Sequence, residues 1–212
     1  MATYPNLTKG EGLVRSYELL ACLTEDSYNS FEQLNKEKDS QYLRRNVVRT
    51  TFSFIEGIIQ ILKFELKAEF RLGRTKIVLT EKEKEILDET RVVGDKKIPW
   101  NIPLDVNFRK TVTLVKKVWT LEKTLINFSS NEYKTFLFVK NTRNRLTHPR
   151  TFYDVEISEQ EIVMMAKTFQ WLKASFWKIM QAKIEFHLST LPVEFRDQFR
   201  ASQLKENNSK IS

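Results

Sequence analysis

The stretch from Gln41 to Phe70, QYLRRNVVRTTFSFIEGIIQILKFELKAEF, constrains this chain more than any other. Leu43, Val47, Thr51, Ile55, Ile58, Leu62, Leu66 and Phe70 recur every three or four residues, the spacing that aligns one face of an α-helix. No proline interrupts the run, and Gly73 stands where such a helix would end. A helix this long carries an apolar stripe that elements of similar length must cover, which points to a helical bundle.

Further helices are legible downstream. Val106, Phe108, Val112, Val115, Val118, Trp119 and Leu125 trace a second amphipathic helix, ending near NFSSN. A third starts about Asn131 and carries Tyr133, Phe136, Leu137 and Lys140. It should stop at His148, because Pro149 disfavours helical geometry in the residue before it. Ser158 and Glu161 form a capping-box pattern that opens a long last helix. Its buried face is predicted to hold Ile162, Ala166, Phe169, Leu172, Phe176, Ile179, Met180 and Ile184.

Shorter pieces fill the gaps. Thr80 and Glu83 make another capping-box pattern, ahead of a short helix whose mixed charges suit a solvated face. Residues 91–104 hold Gly94, Pro99 and Pro103 and read as a connection, whereas TFYDVEI, at 151–157, reads as extended. A short helix over 13–24, with Leu13, Val14, Tyr17, Leu20 and Ala21 on one side, precedes a polar stretch. The expectation is therefore an all-α bundle of about four major helices with short accessory ones. Its organisation is a helical and polar extension over 1–39, a helical domain over 40–187 and a tail over 188–212. Sparse punctuation, five Gly and five Pro in 212 residues, argues the same way against a sandwich of many short strands.

Several functions are excluded by what the chain lacks. Two His and one Cys, widely separated, cannot build a Cys/His zinc site, and no metal or other cofactor is expected. The KGEG at 9–12 has neither the spacing nor the Lys-Ser/Thr of a phosphate loop, and no Gly-x-Ser-x-Gly elbow occurs. No apolar run approaches the roughly 18 residues of a membrane span. A lone Cys22 and an amino terminus without signal-peptide character fit a soluble cytoplasmic protein.

What remains is charge and one motif. The formal net charge is +8, which favours a polyanionic partner. Between Lys134 and Arg150 lie Lys140, Arg143 and Arg145, with no acid among them, and His148 sits within VKNTRNRLTHPRTF. On a helix, Asn144 falls one turn below His148, placed to hold one imidazole nitrogen and leave the other free to move a proton. Arg143, five residues before His148, is rotated well off that face in an ideal helix. Its long side chain and the helix end before Pro149 could still bring the guanidinium round to a shared cleft. A guanidinium that grips a phosphate beside an imidazole that transfers a proton suffices for RNA cleavage without a metal. The same residues also suit a helix-end histidine in a basic solvated surface.

Arg145, Arg150 and Lys140 are candidate electrostatic contacts to RNA. Arg45, Arg49 and Glu56 fall near one stripe of the first long helix. Arg49 and Glu56 are candidates to support the cleft, with Glu56 orienting an Arg or His; an intrahelical salt bridge would use the same residues. His187 is expected at a helix C-terminus or core edge, and Trp171 and Trp177 in the core.

The RNRLTHP segment, with Arg143, the polar Asn144 and then His148 near a helix end, resembles the Arg-polar-x-x-x-His motif of the HEPN superfamily. The order of elements over about 40–187 is similar as well, although only the short motif is specific. The resemblance implies a metal-independent endoribonuclease of the toxin or antiphage-defence kind. It also implies a homodimer with a composite active site and an antitoxin or defence-system partner. Relatives paired with a nucleotidyltransferase antitoxin carry a modifiable Tyr two residues after the His; here that position is Arg150. The alternatives are a non-catalytic HEPN-like module that binds RNA, nucleotide or protein, and a purely structural helical interaction protein.

Overall fold

The computed structural model describes residues 11–121 and 126–196, and in that part the chain is all-α apart from one hairpin. Six α-helices run as α1 (Glu11–Lys36), α2 (Gln41–Arg71), α3 (Glu81–Asp88), α4 (Leu104–Val118), α5 (Asn131–Thr147) and α6 (Glu159–Ser189). Between α3 and α4 stand β1 (Thr90–Val93) and β2 (Lys96–Pro99), paired antiparallel with Val93 opposite Lys96.

The long α2 is the axis of the bundle. Val47, Ile55, Leu62 and Leu66 are fully buried along it, as their spacing requires, and α1, α4, α5 and α6 all pack against it. Phe54 of α2 meets Phe169 of α6 edge to face, with centroids 4.8 Å apart. Phe108, Phe136 and Trp171 tie α4, α5 and α6 together in a second aromatic group. Phe136 is wholly buried there; truncating it to Ala would remove about 3–5 kcal/mol of core packing. Gly57 makes room for α1, since a Cβ at that position would stand 2.8 Å from Leu23 Cδ1.

The helix ends follow local chemistry. Ser40, Thr80, Ser130 and Ser158 each accept a hydrogen bond from the backbone three residues on, and the Thr80–Glu83 and Ser158–Glu161 boxes are both formed. Helix α5 stops at Thr147, with His148 outside helical geometry, where Pro149 requires it. Helix α2 stops at Arg71, two residues before Gly73 at φ 64°.

Four local expectations are corrected. Helix α1 continues to Lys36, through the stretch read as polar, because Leu20 and Leu34 bury against the α2 core. The connection over 91–104 begins as the β1–β2 hairpin, turned at Gly94 with φ 61°. The segment read as extended opens with a 3₁₀ turn, Phe152–Val155, because Asp154 caps it through Thr151. Val106, Trp177 and Ile184 are exposed rather than buried. Leu125, the side chains of Leu13 and Val14, and the tail from 197 lie outside the described residues.

Candidate functional site

Helix α5 delivers the motif to the end of the bundle. Its last turn carries Arg143 and Asn144, and His148 caps it, with its N–H donating to the Asn144 carbonyl at 3.1 Å. All three residues line one open cavity of about 670 Å³. Glu56 and Gln60 of α2, Glu89, the Asn101–Asp105 segment and Asn107 of α4 line it as well.

The sequence pattern brought Arg143 and His148 to one cavity, but the neighbourhood differs from the run that suggested it. That run contains no acid, yet the fold supplies three carboxylates, each paired to a cation. Arg143 Nη2 donates to Glu56 Oε1 at 3.2 Å, Lys140 Nζ to Asp105 Oδ1 at 3.0 Å, and Lys63 Nζ to Glu89 Oε1 at 2.7 Å. Glu56 thus reaches across to α5 to hold the guanidinium, rather than pairing with Arg49 along its own helix. The pair is open to solvent, 34% and 49% exposed, so a phosphate competes for Arg143 at little cost.

Glu89 is a residue that sequence reasoning missed. It caps α3 in the left-handed region, φ 53°, and its carboxylate accepts from Lys63, from Gln60 at 3.0 Å and from Asn107 at 3.0 Å. Burial alone would raise its pKa, but these donors outweigh burial and hold the carboxyl below the usual range. Lys63, almost wholly buried, is also pushed below its usual value, by desolvation that its Glu89 partner only partly offsets. The only sequence hint of this pair was a lysine on the apolar side of α2. Across the site, Asn107 Oδ1 is buried without a partner.

The other predicted residues divide. Asn144 does not hold the imidazole: its Oδ1 accepts from Arg143 Nη1 at 3.5 Å, so it steadies the guanidinium instead. His148 is exposed at the cavity rim. Arg49 is exposed beside Glu56 and Arg143 in an adjoining cavity of about 300 Å³. Arg150 is exposed, and its backbone N–H donates to Asp154 Oδ2 at 2.8 Å.

Arg145 is taken up by the fold. Its Nη1 donates to the carbonyls of Tyr153 (2.9 Å), Asp154 (3.2 Å) and Glu156 (2.8 Å), and its Nη2 to Glu161 Oε1 at 2.6 Å. Both terminal nitrogens of the guanidinium are engaged within the fold; it clamps the 3₁₀ turn onto the start of α6. Burial raises the Glu161 pKa, but donation from Thr142, from the Ser158 backbone and from Arg145 brings it below the usual carboxylate value. Elsewhere, His187 Nε2 lies 3.1 Å from Glu69 Oε1 in the last turn of α6, away from the cavity lining.

Among the described residues no cluster of His, Cys, Asp and Glu is arranged to hold a metal ion, and no helix is long and apolar enough to cross a membrane. No protein-family model, curated protein or solved structure matches the chain.

Proposed function

We propose that the cavity at the end of α5 is the active site of a metal-independent endoribonuclease of HEPN type. The observation that supports this reading best is that Arg143, Asn144 and His148 line one open cavity at a helix end. The cavity is wide enough for a nucleotide, and the one charged group that holds its guanidinium fork is a solvent-exposed carboxylate, beside the Asn144 amide oxygen.

In the proposed reaction the scissile phosphate displaces Glu56 from Arg143. The guanidinium then faces two phosphate oxygens and stabilises the charge that builds on them. Asn144 Oδ1 keeps the fork in place. The ribose 2′-oxygen attacks the adjacent phosphorus while its proton leaves to a base, and the 5′-oxygen departs with a proton from an acid. The imidazole of His148 serves one of these transfers, and a second copy of the chain across a homodimer would supply the other. The products are a 2′,3′-cyclic phosphate and a 5′-hydroxyl. Lys140 and Arg150 attract the strand, and Arg49 extends the positive edge. The setting we infer is cytoplasmic, in a toxin or antiphage system whose antitoxin or defence partner restrains the activity.

A second reading is a module that binds RNA, nucleotide or protein without cutting. One observation favours it over cleavage: three carboxylates share the cavity with the two cations that line it and weaken its hold on a scissile phosphate. Incubation of single-stranded RNA with the protein in EDTA, beside Arg143→Ala and His148→Ala, separates the two. Cleavage lost in both variants supports the nuclease. Binding without cleavage by any of the three supports the module, and cleavage that survives in both removes these residues from the mechanism.

A further inference from the structure

Directly after the motif, the chain holds two large rings in water. Phe152 is 72% and Tyr153 75% exposed, and none of the four residues of their 3₁₀ turn is buried. The rings lie 6.2 Å apart at 73° to each other, so they present two differently oriented aromatic surfaces. Neither contributes to the core.

The backbone beneath them is fixed from several sides. Arg145 grips the carbonyls of Tyr153, Asp154 and Glu156, and Arg45 Nη1 donates to the Val155 carbonyl at 3.3 Å. Asp154 accepts from the backbone N–H groups of Arg150 and Thr151 and from the Thr151 hydroxyl. Beyond the turn, Gln41 exchanges two hydrogen bonds with the Ile157 backbone. A turn held this firmly does not hide its side chains by collapsing onto the bundle, so the exposure of both rings is built in.

The surroundings select the occupant. Arg150, Thr151, Asp154 and Glu156 make the immediate sequence neighbourhood polar, so along the chain the apolar stretch is two rings long. A stable protein interface needs roughly 800 Å² from each partner, far more than two rings offer. One or two nucleobases need only a ring face apiece. His148 is four residues before Phe152, and at 3.8 Å per step the two lie no more than about 15 Å apart. Exposed Arg150 stands between them in the sequence.

We propose that Phe152 and Tyr153 form a stacking platform for unpaired bases of a single-stranded RNA whose backbone enters the Arg143–His148 cavity. The platform selects single strands, because the faces of paired bases are not free to stack on a side chain. It tolerates sequence, because every base has a face to offer. The proposal rests on RNA being the ligand of the cavity, but not on the RNA being cut.

The test uses a short fluorescein-labelled 2′-O-methyl RNA, which lacks the nucleophile and cannot be cleaved by this chemistry. Its binding is measured by anisotropy with the wild-type chain, Phe152→Ala/Tyr153→Ala and Phe152→Trp/Tyr153→Trp. The expected result is about tenfold weaker binding for the alanine pair and wild-type or tighter binding for the tryptophan pair. Abasic substitutions in the strand should weaken the wild type to the level of the alanine pair and leave that pair unchanged. Unaltered thermal melting shows that the fold is intact, as the exposure of both rings predicts. Affinity of the alanine pair within about twofold of wild type overturns the platform, as does absence of wild-type binding at low salt. A loss of self-association in the alanine pair by sedimentation, with strand affinity kept, would instead assign the rings to a second copy of the chain. Ring-dependent binding without cleavage of unmodified RNA would leave the platform standing and remove the nuclease; cleavage indifferent to the rings would do the reverse.

Discussion

Replacing Arg145 with Met should destabilise the protein without removing a phosphate contact. Arg145 makes four hydrogen bonds, three to carbonyls and one to the Glu161 carboxylate. Charged hydrogen bonds are each worth about 1.5–3 kcal/mol net, but bonds sharing one guanidinium do not add in full. The pair with Glu161 is 28% and 13% exposed at its side chains, so solvent screens part of the interaction. Met replaces some of the aliphatic packing, while Glu161 keeps only its Thr142 and Ser158 donors. The net loss is expected at about 3 kcal/mol, or about 6–12 °C in melting temperature for a chain of this size. Urea unfolding followed by circular dichroism measures it, and a double-mutant cycle with Glu161→Gln should return a coupling of about 1–2 kcal/mol. Arg145→Lys should recover less than half, since an ammonium cannot reach both the carbonyls and the carboxylate. A loss below about 0.5 kcal/mol, combined with weakened RNA binding, would refute the clamp and return Arg145 to the RNA contacts.

Other perturbations should behave as follows. Glu56→Gln should change stability by less than about 0.5 kcal/mol, because the pair is exposed, yet lower the KM for RNA several-fold, because the phosphate no longer has to displace a carboxylate from Arg143; an unchanged KM would remove Glu56 from that competition. Glu89→Ala strands the buried Lys63 charge and should cost about 3 kcal/mol in urea unfolding, and a near-neutral effect would contradict the pairing. Glu161 and Asp154 both titrate below their ordinary values, Glu161 because its donors outweigh burial and Asp154 through the backbone N–H groups of Arg150 and Thr151. A depressed carboxyl stabilises the fold fully above its unfolded pKa and loses that contribution as pH falls through the folded value. Stability should therefore decline below about pH 4.5, and Glu161→Gln should flatten that limb; an acid limb identical to wild type would exclude Glu161 as its source.

The bundle was legible because its helices are long and regularly patterned. Periodicity alone placed the buried face of α2, and Pro149 alone placed the end of α5. The misreadings share one cause, that local pattern does not know its neighbours. Residues 25–36 look polar until Leu34 finds the α2 core, and TFYDVEI looks extended until Asp154 caps its own turn. The motif was legible as a juxtaposition of Arg143 and His148, since both lie near one helix end. Of its acidic surroundings only Glu56 was legible; Glu89 and Asp105 come from remote segments and were not. Nor was the role of Arg145: nothing in RNRLTH tells the arginine that faces the cavity from the one that grips a turn. Phe152 and Tyr153 read as ordinary strand residues until the fold left both rings in water.

The central claim is that Arg143 and His148 cleave RNA through its own 2′-hydroxyl. It is tested most directly by the termini of the products formed from an all-ribose single strand in excess EDTA. The account predicts a 2′,3′-cyclic phosphate and a 5′-hydroxyl from the wild type, no product from Arg143→Ala or His148→Ala, and no cutting of the same strand made with 2′-deoxyribose. A 5′-phosphate product, or scission of the deoxyribose strand, would contradict it.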